Sequence, residues 1–243
     1  MKHFLFLICF FISPSIFSCE LKIAIRDAVL YSSQDENGKW QGSDVDIYRY
    51  LADAISCDIK YVVVPFADAV KLLKTGEIDA MTQLSILPDR IKDISFVGPV
   101  RRESFALVTS KHVKETIHSF DDIANLPYVF AKRKGTYLGR DFHKKYVEDN
   151  QFSSKFIELS TVNPRINLIL KKRIYGFFDE SIFIRHALTY LPEYQGLKMH
   201  PITIDNGDVF IGFSKKSLDK KTIEKLSKAF NTLKKKDKAL NYF

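Results

Sequence analysis

Short β-rich runs alternate with amphipathic helices along most of this chain, and that alternation restricts the fold more than any other feature. LKIAI (Leu21 to Ile25) and KYVVV (Lys60 to Val64) read as strands, and Ile47, Leu51 and Ile55 recur between them at helical spacing. Ser43 and Asp44 are placed to cap that helix. In FADAVKLLKTGEIDA, Phe66, Val70 and Leu73 mark a second helix, which Gly76 ends before a strand at Ile78. A βαβαβ order predicts a parallel sheet with helices on its faces.

A second series follows the strand ESFALVTSK. PYVFA (Pro127 to Ala131) reads as a strand, and the helix after it carries Leu138, Phe142 and Tyr146 on one face. KFIELS is another strand, after which Asn163 caps a helix with Pro164 at its first position and Ile166, Ile169 and Leu170 as its buried face. The strand IYGFF and a helix from Ser181 to about Tyr190 complete the unit, and DVFIGFSKK with Ile223, Leu226, Phe230 and Leu233 supplies a last strand and helix. A strand and helix left over after two α/β units imply that the chain crosses between two lobes twice, at Glu103 to Ser110 and around Ile204 to Gly212. Paired crossings of this kind can act as a hinge. The expected division is lobe I over 20–105 and 208–243, and lobe II over 106–207.

Residues 1–19 read as a secretory signal peptide: Lys2, an apolar run from Phe4 to Ile12, then Pro14 and small Ser18. The run is shorter than the roughly 20 apolar residues a membrane span needs. Export to the periplasm is therefore expected, with a lipid anchor at Cys19 as the alternative. Cys19 and Cys57 each precede a predicted strand by two residues, and those strands are expected to be parallel neighbours. Strand spacing then permits a disulfide, against the simpler reading of Cys57 as a buried thiol.

The chain carries 37 basic and 29 acidic residues, a net charge of +8 that falls by one when Lys2 is removed. Its basic residues are spread out, with local runs at Lys132 to Lys134, Lys171 to Lys172 and Lys234 to Lys238, and no stacking aromatic pattern accompanies them. They read as solvated surface, and nucleic acid is not an expected partner. There is no HExxH, no GxSxG and no cysteine–histidine metal spacing, so neither a metal, a cofactor nor a catalytic residue is expected.

The segment from Ile78 to Pro99, IDAMTQLSILPDRIKDISFVGP, carries the chemistry. An apolar strand runs into a hydroxyl-bearing turn at Ser85, then a proline and one arginine, Arg90. A guanidinium offers a planar fork of donors matched to a carboxylate. LSILPDR resembles the carboxylate-gripping segment S-x-T-P-E-R of the family 3 extracellular solute-binding proteins, the amino-acid receptors of ABC importers. Leu87 stands where that segment has threonine. DENGKWQGSDVDIYRYLA is similar to the family's glycine turn followed by G-F-D-V-D, and its own residues describe a turn and an acidic helix start.

The resemblance spans Leu21 to about Asp237 and implies an α/β protein of the type II periplasmic-binding-protein fold, two α/β lobes joined by two crossing strands. It also implies further ligand residues. Val29, Leu30 and Tyr31 replace the family's P-P-F stretch, leaving Tyr31 as an aromatic wall, and Phe66 stands at the cleft mouth or is an ordinary core residue. Gln83 flanks the strand end. RKGTYLGRDF resembles the second lobe's G-[ST]-[ST] loop, so Gly135, Thr136 and Tyr137 complete the carboxylate site, with Thr136 capping the helix. Glu180 falls on the family's acidic residue that meets the ligand ammonium, and Asp179 is the second candidate.

The implied function is a monomeric periplasmic protein that captures a free amino acid, or a close analogue, between closing lobes and delivers it to an inner-membrane ABC permease. The alternatives are a periplasmic enzyme of the same fold, such as a cyclohexadienyl or arogenate dehydratase, and a ligand-sensing receptor module.

Overall fold

The computed structural model describes residues 19–28, 30–160 and 164–236. The signal sequence, Val29, the Asn163 cap and the end of lobe I after Lys236 lie outside them. Strands and helices follow in the order β1 (Cys19–Ile25), β2 (Ser33–Gln34), β3 (Trp40–Gln41), α1 (Ser43–Asp53), β4 (Cys57–Val63), α2 (Phe66–Thr75), β5 (Ala80–Leu84) and α3 (Pro88–Ile91). The long strand β6 (Ile94–Ser110) then leads to α4 (Phe120–Asn125), β7 (Phe130–Arg133), α5 (Gly139–Glu148), α6 (Asn150–Ser153), β8 (Phe156–Leu159), α7 (Pro164–Leu170), β9 (Gly176–Glu180) and α8 (Ser181–Tyr190). A second long strand, β10 (Leu197–Ser214), and α9 (Lys220–Lys236) complete the described chain.

Eight strands form one sheet in the order β4-β1-β5-β10-β6-β9-β7-β8. Its centre is the antiparallel pair β6–β10, in register from Leu197 opposite Ser110 to Ser214 opposite Ile94. β5 and β9 join the outer edges of that pair antiparallel, whereas β1–β4, β1–β5, β7–β8 and β7–β9 are parallel. The segments expected as crossings pair with each other in one antiparallel ladder, with three register shifts, that passes from the first half of the sheet into the second.

Helices cover both faces of each half. In the first half, Ile47 and Leu51 of α1 and Leu226 and Phe230 of α9 pack on Leu21, Ile23 and Phe213, while Phe66, Ala69 and Leu73 of α2 cover the opposite face with Met81 and Leu84. In the second half, successive residues of one strand feed opposite cores. Leu107 and Phe178 enter the cluster with Phe142, Phe152 and Phe156, and Val108 and Phe177 enter the cluster with Ile169 and Ile184. Burial on both faces explains why these strands are continuous apolar runs rather than alternating ones.

Most local signals have the expected consequence. Gly76 ends α2 at φ 84°, a left-handed conformation that glycine adopts without steric cost. Asn37 and Gly38 turn the β2–β3 hairpin, with the Asp35 carboxylate accepting from the backbone N–H groups of Asn37 and Lys39.

Four expectations are corrected. The N-cap of α1 is Gly42, not Ser43 or Asp44, because the Asp44 carboxylate turns inward to Arg101 and Thr82. The strand read as PYVFA begins only at Phe130, since Pro127 has no N–H to add to a ladder. In α7 the apolar Leu170 is 63% exposed, whereas Arg165 is 1% exposed. Finally, of the basic run at Lys132 to Lys134 only Lys134 is exposed. Lys132, buried, and Arg133, half-buried, lie in β7 and pair with Glu158 and Asp179.

Cys19 and Cys57 sit directly opposite each other in the β1–β4 register and are joined as a disulfide, with Cα atoms 4.5 Å apart. A sulfur held in that bridge is not available for a thioether to lipid. The bridge closes a loop of 38 residues, for which chain entropy predicts about 4 kcal/mol of stabilisation. A chain beginning at Cys19 is expected to show no free thiol until reduced and two afterwards. Its denaturant midpoint should fall by an amount equivalent to about 2–4 kcal/mol on reduction or in Cys57→Ser.

Candidate functional site

A cavity of about 170 Å³ opens between the two halves of the sheet, where β6 and β10 cross. That volume suits a small metabolite rather than the roughly 300–1,000 Å³ of a drug-sized pocket. Nine of the ten expected site residues line it: Tyr31, Phe66, Gln83, Ser85, Arg90, Thr136, Tyr137, Asp179 and Glu180. The tenth, Gly135, sits behind the wall and presents its carbonyl to Arg90.

Arg90 comes from α3, whose first residue is Pro88, and it is only 4% exposed. Its Nη1 donates to the Ser85 carbonyl at 3.1 Å and its Nη2 to the Gly135 carbonyl at 3.3 Å, while Nε is buried without a partner. Burial lowers its pKa, opposed by Asp89. The Thr136 hydroxyl is likewise buried and unpartnered. Thr136 is not the helix cap expected of it, because α5 begins at Gly139 with Leu138 as N-cap. Thr136 instead lines the cavity. Gly135 has φ 74°, and a Cβ there would come within 3.0 Å of the Ala67 Cβ on α2, so the loop packs directly against the first half.

On the opposite wall, Glu180 is the N-cap of α8. Its two carboxylate oxygens accept from the backbone N–H groups of Ile182 and Phe183 at 3.0 and 2.7 Å, and the Tyr31 hydroxyl donates to it at 3.4 Å. Burial raises its pKa, against the two backbone bonds. Each oxygen keeps lone-pair capacity for a further donor, so the capping and ligand-facing roles coexist. Tyr31 forms the wall expected of it, with the Arg101 guanidinium 3.7 Å from its ring centroid. Phe66 combines both readings, being buried in the α2 core while lining the cavity.

Asp179 has a different place. Its carboxylate accepts from Arg133 at 3.0 Å, from Arg165 and from the backbone N–H of Glu180. Burial alone would raise its pKa, but Arg165 and Arg133 outweigh that and hold it below the ordinary carboxylate value. It is closed into an ion-pair cluster, which leaves Glu180 as the acid with capacity for an ammonium group.

Several lining residues carry no motif that sequence reasoning could use. Arg26 follows β1, and its guanidinium donates to the Gln83 side-chain oxygen. Gln83 holds a left-handed backbone at φ 64° near the end of β5, a strained conformation for a non-glycine residue. Glu103 of β6 is buried and accepts from the Asn206 side chain at 3.0 Å, and burial raises its pKa. Arg101, which stacks on Tyr31 from outside the lining, pairs with the buried Asp44 at 2.7 Å.

The description of the bacterial extracellular solute-binding proteins, family 3, matches residues 21–241. The chain belongs to that family. Among its relatives, the ABC transporter arginine-binding protein 1 of Escherichia coli (strain K12) is 22% identical over 84% of this chain and 80% of its own length. The probable amino-acid-binding protein YxeM of Bacillus subtilis (strain 168) is 26% identical over 82% and 73%. In structure, an ancestral arginine-binding protein bound to glutamine superposes with a TM-score of 0.75 at 20% identity, over 92% of this chain and 95% of that one. The fold of this family 3 member is thus the type II periplasmic-binding-protein fold.

Removing one partner of a buried ion pair costs about 3–5 kcal/mol. Asp179→Asn should lower unfolding stability by that amount in a denaturant titration, because Arg133 and Arg165 lose their counter-charge. The stability that Asp179 contributes is fully present above its ordinary pKa of about 4. It should be lost as pH falls through its lowered native value, and the Asn variant should lack that acid-side decline.

Proposed function

We propose that this family 3 protein captures a free amino acid, or a close analogue, in the cavity between its lobes and presents it to an ABC permease. The observation that carries this reading is that Arg90 and Thr136, each with a buried donor that lacks a partner, line one cavity together with Glu180. A buried donor without a partner costs about 1–3 kcal/mol, and a ligand carboxylate removes that cost. Glu180 then receives the ammonium group. Arg90 belongs to the segment before the first crossing, whereas Thr136 and Glu180 belong to the segment after it. With lobe I taken as 20–105 and 208–243 and lobe II as 106–207, only a closed cleft engages all three.

The contacts that cross the cleft support this. Arg90 donates to the Gly135 carbonyl and Tyr31 to Glu180. A ligand held by both lobes favours the closed state through differential affinity. Charge-assisted bonds of roughly 1.5–3 kcal/mol each are enough in number to reach the roughly 8 kcal/mol of micromolar binding. The names of the curated relatives, an arginine-binding and a probable amino-acid-binding protein, agree with an amino-acid ligand.

A second reading, an enzyme that protonates a leaving group, is favoured by the raised pKa values of Glu103 and Glu180, as a general acid requires. Incubation with prephenate or arogenate tests it, and the binding-protein reading expects no aromatic product. In calorimetry with the twenty amino acids, the native protein should bind at least one. Arg90→Ala should weaken that binding at least about a hundredfold, the loss of two charge-assisted bonds. Unchanged affinity in the variant would remove Arg90 from the site.

A further inference from the structure

Three arginines, Arg26, Arg90 and Arg133, line the cavity, more guanidinium groups than the single carboxylate of a zwitterion needs. Two acid–base pairs cancel within the protein, Asp44 with Arg101 and Asp179 with Arg165. Under the reading above, Arg90 and Glu180 meet the two ends of the ligand backbone. Arg26 and Arg133 then remain, with Glu103 as the buried acid near them. Arg133 shares Asp179 with Arg165, so that carboxylate serves two guanidiniums.

Arg26, like Arg90, has no carboxylate in direct contact. It lines the cavity, yet among the described residues no ion pair joins it to a carboxylate, and its hydrogen bond is to the neutral amide of Gln83. Desolvation and the like charge of Arg133 bring its pKa down to about 9 against the more distant Asp179, Glu103 and Asp44, so it stays cationic at neutral pH. Glu103 accepts its direct bond from Asn206 rather than from Arg26. Asp27 and Glu193 also line the cavity but are exposed, where water and salt screen their charge.

Arg26 is half-buried with only a neutral amide in direct contact, and a partly desolvated cation of this kind favours a ligand that brings a negative charge to it over a neutral one. The geometry points to an amino acid with an anionic side chain, a dicarboxylic amino acid such as glutamate or aspartate, as the ligand of this cavity, with Arg26 as the residue that meets the second carboxylate. The inference rests on the amino-acid-binding reading and narrows it. The cations around Arg26 disfavour the guanidinium side chain named in the arginine-binding relative.

Calorimetry on the chain from Cys19 with L-glutamate, L-aspartate, L-glutamine and L-arginine tests the inference. Glutamate or aspartate should bind at least tenfold more tightly than glutamine and arginine. In Arg26→Gln the ratio of glutamate to glutamine affinity should collapse by at least tenfold, while Arg26→Lys, which keeps the charge, should retain most of it. A ratio within one protein is insensitive to a uniform loss of folded material, and the melting temperature of each unliganded variant checks its fold. Tighter binding of arginine or glutamine by the native protein overturns the specificity and leaves the amino-acid receptor standing. An unchanged ratio in Arg26→Gln overturns the role of Arg26. If none of the twenty amino acids binds, both readings fall.

Discussion

The antiparallel pairing of β6 with β10 is the constraint on which the other parts depend. Each strand runs through both halves of the sheet, so the halves share one hydrogen-bonded seam instead of meeting as separate bodies. β5, β1 and β4 add outward on one side, and β9, β7 and β8 on the other. Register irregularities interrupt the ladder between Met199 and Thr203, between Asp205 and Gly207, and between Val209 and Ile211. Bulges of this kind bend a strand and increase its twist. Here they fall where the two halves diverge, and Glu103 and Asn206 occupy the base of the cleft that results.

Around that cleft the protein buries guanidinium groups, which is costly unless each is paired. Arg101 is paired with Asp44 and held against the Tyr31 ring. Arg165 lies over the Phe177 ring and donates to both Asp179 and the Phe178 carbonyl. These contacts fix the aromatic wall and the second-half acids without contributing to ligand contact themselves. Arg90 differs in having backbone carbonyls rather than a carboxylate as its partners.

The layout of the fold was legible because its signals are local. Apolar runs, helical spacing, the stop at Gly76 and the start at Pro164 depend on neighbours a few residues away, and each has the expected consequence. The segment from Ser85 to Arg90 was legible for the same reason, since the two residues are close in sequence and Arg90 donates to the Ser85 carbonyl. Misreadings occurred where a distant partner redirected a residue. Asp44 left the helix cap for Arg101, 57 positions away, and Arg165 displaced Leu170 from the buried face of α7 to reach Asp179. Thr136 lost its expected capping role because α5 starts two residues later, with Leu138 as N-cap, and Thr136 lines the cavity instead.

From its sequence alone this protein declares two α/β units and, through the resemblance of its Ser85 to Arg90 segment, its family. Hydrophobic periodicity and turn chemistry suffice for the units, because they are properties of contiguous residues. That Asp179 is closed into an ion-pair cluster while Glu180 caps α8, and that Arg26 and Arg133 join Arg90 at one cavity, was decided only by tertiary structure. Charge compensation is a property of contacts between segments far apart in the chain, and Arg133, Arg165 and Asp179 reveal which of them cancel only when β7, α7 and β9 are brought side by side.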